Sequence, residues 1–321
     1  MPVFMSQAAY TTSPWAAPIG QHRRVSAIIS TLMLGLAVLI ASISPGKAEP
    51  VVRQLAGSWT LNIVANGSAQ IRVFHGGDGP AIVMLPGRSR GPAALEPLAS
   101  LLAKAGFRIV LPEPRGYGAS TGPLDNVSLR DLSADVIQAI ESVSKPPVVL
   151  LGHAYGNRIA RMLAADRPDL VRATVLLAAG GKFPPKPEAG QNLRIYLDKS
   201  KPADVRIEAA RAALFGPKSN PKHEDFMLDM ISDNANRAQL SAADPNKIPL
   251  DAWWHGGTSP MLVIQGLADV IAPPENGRLL KSDHPQRVTL VEFEDLGHEM
   301  EIERPDLMAE AITEFVKKLE K

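Results

Sequence analysis

Hydrophobic positions in this chain follow two alternating periods from residue 70 onward. Runs such as Ile82-Val83-Met84-Leu85 and Val148-Val149-Leu150-Leu151 are apolar at every position, as strands buried on both faces of a sheet must be. With these, β-type runs cover 70–75, 81–85, 108–111, 148–151, 173–178, 261–265 and 288–293, only several of them continuously apolar, and 61–64 reads as a further strand at an edge. Between them, apolar residues recur at helical spacing in 93–105, 131–143, 158–166 and 305–319. The alternation predicts an α/β protein of about eight mostly parallel strands with helices on both faces.

One stretch breaks the pattern. Between 183 and 257 there is no convincing strand, only prolines, helix formers and scattered large apolar residues: Tyr196, Phe215, Phe226, Met227, Met230, Trp253 and Trp254. An insertion of that length is too long for a plain loop and predicts a helical lid, with Trp253 and Trp254 as candidates for lining a substrate pocket beneath it. At the other end of the chain, Arg23-Arg24 precedes an apolar stretch over 25–43 and a small residue at Ala48. This is the form of an export signal cut after Ala48. The alternative is an uncleaved membrane anchor, because the apolar run approaches bilayer-spanning length. Both place the domain outside the cytoplasm, periplasmic or secreted in the first case and inner-membrane anchored in the second. The expected organisation is a leader over 1–48, core over 49–182, lid over 183–257 and core again over 258–321.

Composition narrows the chemistry. A chain of 321 residues with 45% hydrophobic and 21% charged residues and no cysteine is globular, without a disulfide framework or a zinc-cysteine site. Lys+Arg 34 against Asp+Glu 33 leaves a net charge of +1, so no nucleic-acid partner is expected. The sequence contains no metal-ligand cluster, phosphate loop or dinucleotide fingerprint, so no cofactor or metal is implied. A small-molecule substrate or ligand is the expected partner.

The segment with the most chemical content follows the run at 148–151. There the chain reads Gly152-His153-Ala154-Tyr155-Gly156 and continues as a helix. Strand, tight turn and helix in this order hold the central residue on a strained backbone at the mouth of a sheet, with the amide of Tyr155 at a helix N-terminus.

This arrangement resembles the nucleophile elbow of the α/β-hydrolase superfamily, with Ala154 in the nucleophile position. The resemblance runs in order from about residue 70 to the C-terminus. Leu85-Pro86-Gly87-Arg88-Ser89-Arg90-Gly91 stands where members carry the oxyanion loop, with Pro86 in place of the usual histidine. Glu113-Pro114-Arg115-Gly116-Tyr117-Gly118-Ala119-Ser120 is similar to the family's Asp-x-Arg-Gly-x-Gly-x-Ser loop, Gln265-Gly266-Leu267-Ala268-Asp269 to the acid loop, and Leu296-Gly297-His298-Glu299 to the histidine loop. The resemblance implies an α/β-hydrolase fold with a helical lid, of the esterase or epoxide-hydrolase kind. It implies His298 as general base held by Asp269, and the amides of Arg88 and Tyr155 as the oxyanion hole. His153 follows the pattern as a support for the elbow and is given no chemistry. Ser89 is a candidate substrate-binding residue or displaced nucleophile, and Arg88 and Arg90 are candidates to receive an acidic substrate group.

Without an oxygen or sulfur at residue 154, no covalent intermediate forms at the elbow. Three functions then fit. The first is a hydrolase-type enzyme on a small ester-, lactone- or epoxide-like substrate, in which the His298-Asp269 dyad acts without the usual serine. The second is a non-catalytic relative that binds a small ligand. The third is a serine hydrolase in which serine was replaced by alanine to trap a complex.

Overall fold

The computed structural model describes residues 59–223 and 227–319. The expected leader and Phe226 lie outside the described residues. Among them, no helix is long and apolar enough to cross a membrane.

Eight strands form one sheet in the order β1-β2-β4-β3-β5-β6-β7-β8. The antiparallel edge is β1 (Thr60–Asn66) and β2 (Ala69–Gly76). β2 joins β4 (Arg108–Pro112) antiparallel, and β3 (Ala81–Leu85), β4, β5 (Val148–His153), β6 (Val171–Leu177), β7 (Met261–Gly266) and β8 (Val288–Phe293) run parallel. Every residue of β5 and β7 is buried, and these are the strands that end beneath the candidate site.

Helices cover both faces. α1 (Glu96–Lys104) packs on one face and α2 (Leu129–Val143) and α3 (Gly156–Asp166) on the other. Pro97 falls in the first turn of α1, where its missing N–H removes no helical hydrogen bond. α2 starts with a capping box, Ser128 accepting from the Asp131 amide while Asp131 accepts from that of Ser128.

Between β6 and β7 come α4 (Pro187–Leu197), α5 (Ala203–Leu214), α6 (Asp233–Ala242) and α7 (Asp251–Trp254). α4 and α5 share an apolar core with Phe215, Met227 and Ile231. α7 instead lies against α3, and Trp253 and Trp254 pack into the apolar layers of the sheet domain. The C-terminal part holds α8 (Glu275–Asp283), α9 (Met300–Glu303) and α10 (Pro305–Lys318). Sequence periodicity misses α8 because its buried face is built from Asn276, Gly277 and Leu280, too little apolar surface to register as a stripe.

Candidate active site

The elbow forms where β5 gives way to α3. Ala154 has φ 48°, in the left-handed region that L-residues rarely occupy. Its glycine flanks are dictated by space: a Cβ on Gly152 would lie 2.6 Å from the Asn157 nitrogen, and one on Gly156 would run into the Leu85 carbonyl. The Ala154 amide donates to the Leu177 carbonyl at 3.0 Å. Asn157 Nδ2 donates to the carbonyls of Leu177 and Ala178 at 2.8 and 3.0 Å. These bonds tie the turn to the end of β6, so the methyl of residue 154 is fixed by backbone rather than by its own contacts.

Asp269 and His298 meet. Asp269 Oδ2 accepts from His298 Nδ1 at 2.9 Å, and Oδ1 accepts from the amides of Ile271 and Ala272 at 2.8 Å each. Gln265 anchors this loop, donating to the carbonyls of Ala272 and Pro273 at 3.2 and 3.4 Å while accepting from the Ala179 amide at 2.6 Å. The histidine loop is held from the insertion, since the amides of His298 and Glu299 both donate to the Leu214 carbonyl. Glu303 accepts from the amides of Gly216 and Gly297 at 2.9 and 2.8 Å.

Burial pushes the His298 imidazole down. The Asp269 carboxylate, through charge and hydrogen bond, outweighs it and lifts the group above its ordinary 6.5. With Nδ1 engaged, Nε2 has no partner among the described residues and is free to take a proton.

A cavity of about 300 Å³ opens over this dyad, lined by Ala154, His153, His298, Glu299, Gly87, Arg88 and Arg90 of the oxyanion loop, and apolar residues of the insertion such as Pro184, Leu193 and Leu197. The amides of Arg88 and Tyr155 reach no acceptor among the described residues. Both residues line the cavity with Ala154, and backbone donors without an acceptor are what a developing oxyanion requires.

Residues 80–305 match the alpha/beta hydrolase fold family. The chain belongs to the α/β-hydrolase family. It is similar to 2-(acetamidomethylene)succinate hydrolase from Mesorhizobium japonicum, at 26% identity over 269 residues that cover 78% of this chain and 92% of the relative. It is also similar to an epoxide hydrolase from Caballeronia sordidicola, at 30% identity over 112 residues and 34% of each chain. Among solved structures, an esterase from Exiguobacterium antarcticum shares the fold with TM-score 0.68 at 20% identity, covering 82% of this chain and 100% of that one.

Behind the dyad this α/β-hydrolase carries a buried ionic network that sequence reading missed. Arg90 donates to Glu299 Oε1 at 2.8 Å. Burial favours neutral Glu299, but Arg90 outweighs it and holds the carboxyl below its usual range. Glu301 is entirely buried; desolvation and the Glu299 charge push it well above the usual carboxylate range. His153, lowered to about 4 by burial, is neutral where it meets Glu301 at 3.1 Å. His153 Nε2 donates to the His298 carbonyl at 2.9 Å. The clue in the sequence was the spacing Glu299, Glu301, Glu303 directly after His298. His153, His298 and Glu299 bring ligand-type atoms within 4.8 Å of one another, but Arg90 already supplies the cation and Asp269 and the His298 carbonyl occupy one ring nitrogen each. The donor set fits a proton network better than a metal.

Three expected site residues lie elsewhere. Ser89 is fully buried on a turn with φ 65° and does not line the cavity. Its amide donates to Gln239 Oε1 at 2.7 Å and its carbonyl accepts from Ser232, which faces the residue into the insertion rather than the dyad. Trp253 and Trp254 do not line the cavity either: Trp253 stacks beneath Arg158 and Arg161, and Trp254 donates to Asp283 at 3.0 Å. Arg90, expected as an acceptor of acidic groups, is committed to Glu299.

Proposed function

We propose that this α/β-hydrolase is a hydrolase-type enzyme acting on a small ester-, lactone- or epoxide-like substrate, with water activated directly by the His298-Asp269 dyad. The observation that carries the reading is the unpartnered Nε2 of a buried histidine whose Nδ1 is held at 2.9 Å by a carboxylate, facing a cavity shared with a bare methyl. For an ester, His298 Nε2 takes a proton from water as the water oxygen bonds to the carbonyl carbon. The resulting oxyanion accepts from the amides of Arg88 and Tyr155. On collapse the carbon–oxygen bond to the leaving group breaks, and the imidazolium returns the proton to the departing alkoxide. The insertion over 183–257 acts as the lid.

His298→Ala is expected to lower kcat/KM on short aryl esters or lactones by about 10²- to 10⁴-fold. Because the imidazolium has no lone pair at Nε2, activity should fall as pH drops through a value above 6.5. In Asp269→Asn the charge that does most to lift the group is removed while the effect of burial stays, so that limb should move to lower pH. Wild-type turnover indifferent to both substitutions would sink the dyad. A second reading, a ligand-binding member without turnover, is favoured by Ala154 itself, and wild-type silence toward esters, lactones and epoxides would support it.

The leader is read as an export signal. Mass spectrometry of protein exported from a Gram-negative host should find Glu49 at the N-terminus, and a retained 1–48 segment would favour the anchor.

A further inference from the structure

We propose that the cavity carries an anion subsite formed by Arg88 and Arg158, and that the molecule bound beside the dyad is a small carboxylate. Both guanidinium-bearing residues line the cavity. Neither has a carboxylate or any hydrogen-bond partner for its side chain among the described residues, whereas Arg72, Arg90 and Arg115 are paired with Glu113, Glu299 and Asp135. Two half-buried cations close enough to repel one another, with no counter-charge, are costly. Burial, followed by the Arg158 charge, depresses Arg88, and burial depresses Arg158. A dianion or carboxylate in the cavity removes that cost and accepts bidentate hydrogen bonds.

The site is built rather than incidental. Arg158 lies 5.5 Å over the ring of Tyr155 and 5.5 Å over that of Trp253, so its planar fork rests against two aromatic rings. Tyr155 is fixed in turn, its hydroxyl donating to the Gln239 carbonyl at 2.8 Å. Trp253 therefore reaches the ligand through Arg158. Glu299, the one acidic side chain lining the cavity among the described residues, is paired with Arg90. Arg88 and Tyr155 also supply the two free amides beside Ala154, so the carboxylate of a bound molecule lies within a few bonds of the group held at those amides. This deepens the functional reading above and rests on that cavity being the substrate site, but not on turnover.

Isothermal titration of the full mature protein with succinate and with succinamide, its neutral isostere, tests the proposal. Succinate should bind at least about 10-fold more tightly than succinamide, with affinity falling as salt rises. Arg88→Met and Arg158→Met should each weaken succinate by roughly 10- to 100-fold, while Arg158→Lys, which keeps charge but loses the stacked fork, should fall between wild type and Arg158→Met. Equal affinity for succinate and succinamide in folded wild type overturns the subsite without reference to any variant. Succinate binding without turnover of mono-aryl succinate would retain the subsite and defeat the catalytic reading. Turnover of neutral aryl butyrates at the same kcat/KM as mono-aryl succinates would do the reverse.

Discussion

Ala154→Ser is expected to raise aryl-ester turnover on the order of 10³-fold, about 4 kcal/mol of barrier, and to make the protein react with a fluorophosphonate. The other parts of a serine hydrolase are in position: a backbone held at φ 48° by its glycine flanks, an imidazole with Nε2 free and Nδ1 bonded to Asp269, and two unused amides beside the residue. Removing serine from a triad costs about a millionfold in kcat in a well-studied protease, which sets the ceiling. The lower figure reflects a site in which nothing has tuned the approach of the new hydroxyl. Serine replaces a residue already in the left-handed region, so the turn itself is not newly strained. A rapid burst of alcohol release should precede steady turnover, because acylation outpaces water attack on the acyl-enzyme. Adding His298→Ala should abolish both burst and labelling. A folded Ala154→Ser protein that resists the probe would show that residues 154 and 298 do not work as a pair, and the dyad proposal would go with it.

The parts of this site legible in the sequence are those fixed by local rules. Strands such as β3 and β5 stand out because burial on both faces leaves no polar position, and the elbow because Gly152 and Gly156 have no room for a side chain. The pairing of Asp269 with His298 was implied by the resemblance of their two loops to the family's acid and histidine loops. What stayed hidden depends on neighbours distant in the chain. Arg158 is an ordinary helical arginine until Tyr155 and Trp253 are seen stacking on it with no acid in reach. Trp253 and Trp254 looked like pocket residues because large aromatics in an insertion usually serve its interior; here the insertion's last helix returns to the sheet domain. The raised pKa of Glu301 is a property of burial beside Glu299 and has no signature in composition.

The network around Arg90 yields the largest stability effect. Arg90 joins three parts of the molecule: it lies on the oxyanion loop, donates to Glu299 on the histidine loop at 2.8 Å and to Met227 Sδ at 3.1 Å, and stands 5.5 Å over the Tyr196 ring of α4. Arg90→Met is expected to destabilise the fold by about 3–5 kcal/mol, the usual consequence of leaving one member of a buried pair without its partner. The abandoned Glu299 would then face Glu301 and the dyad without the Arg90 charge, and its pKa would rise. The pH dependence has a definite sign. In wild type the Glu299 pKa is held down, so its pairing stabilises above the ordinary carboxylate range and is lost as pH falls through the folded value. In Arg90→Met the folded value is raised, so the deficit relative to wild type should shrink as pH falls. Arg90→Met combined with Glu299→Gln should recover most of the loss, since a neutral amide removes the stranded charge. Urea unfolding at pH 5 and pH 8 measures all three proteins. A single variant within 1 kcal/mol of wild type, or a double variant as unstable as the single, would mean that the pair is not what holds oxyanion loop, histidine loop and insertion together.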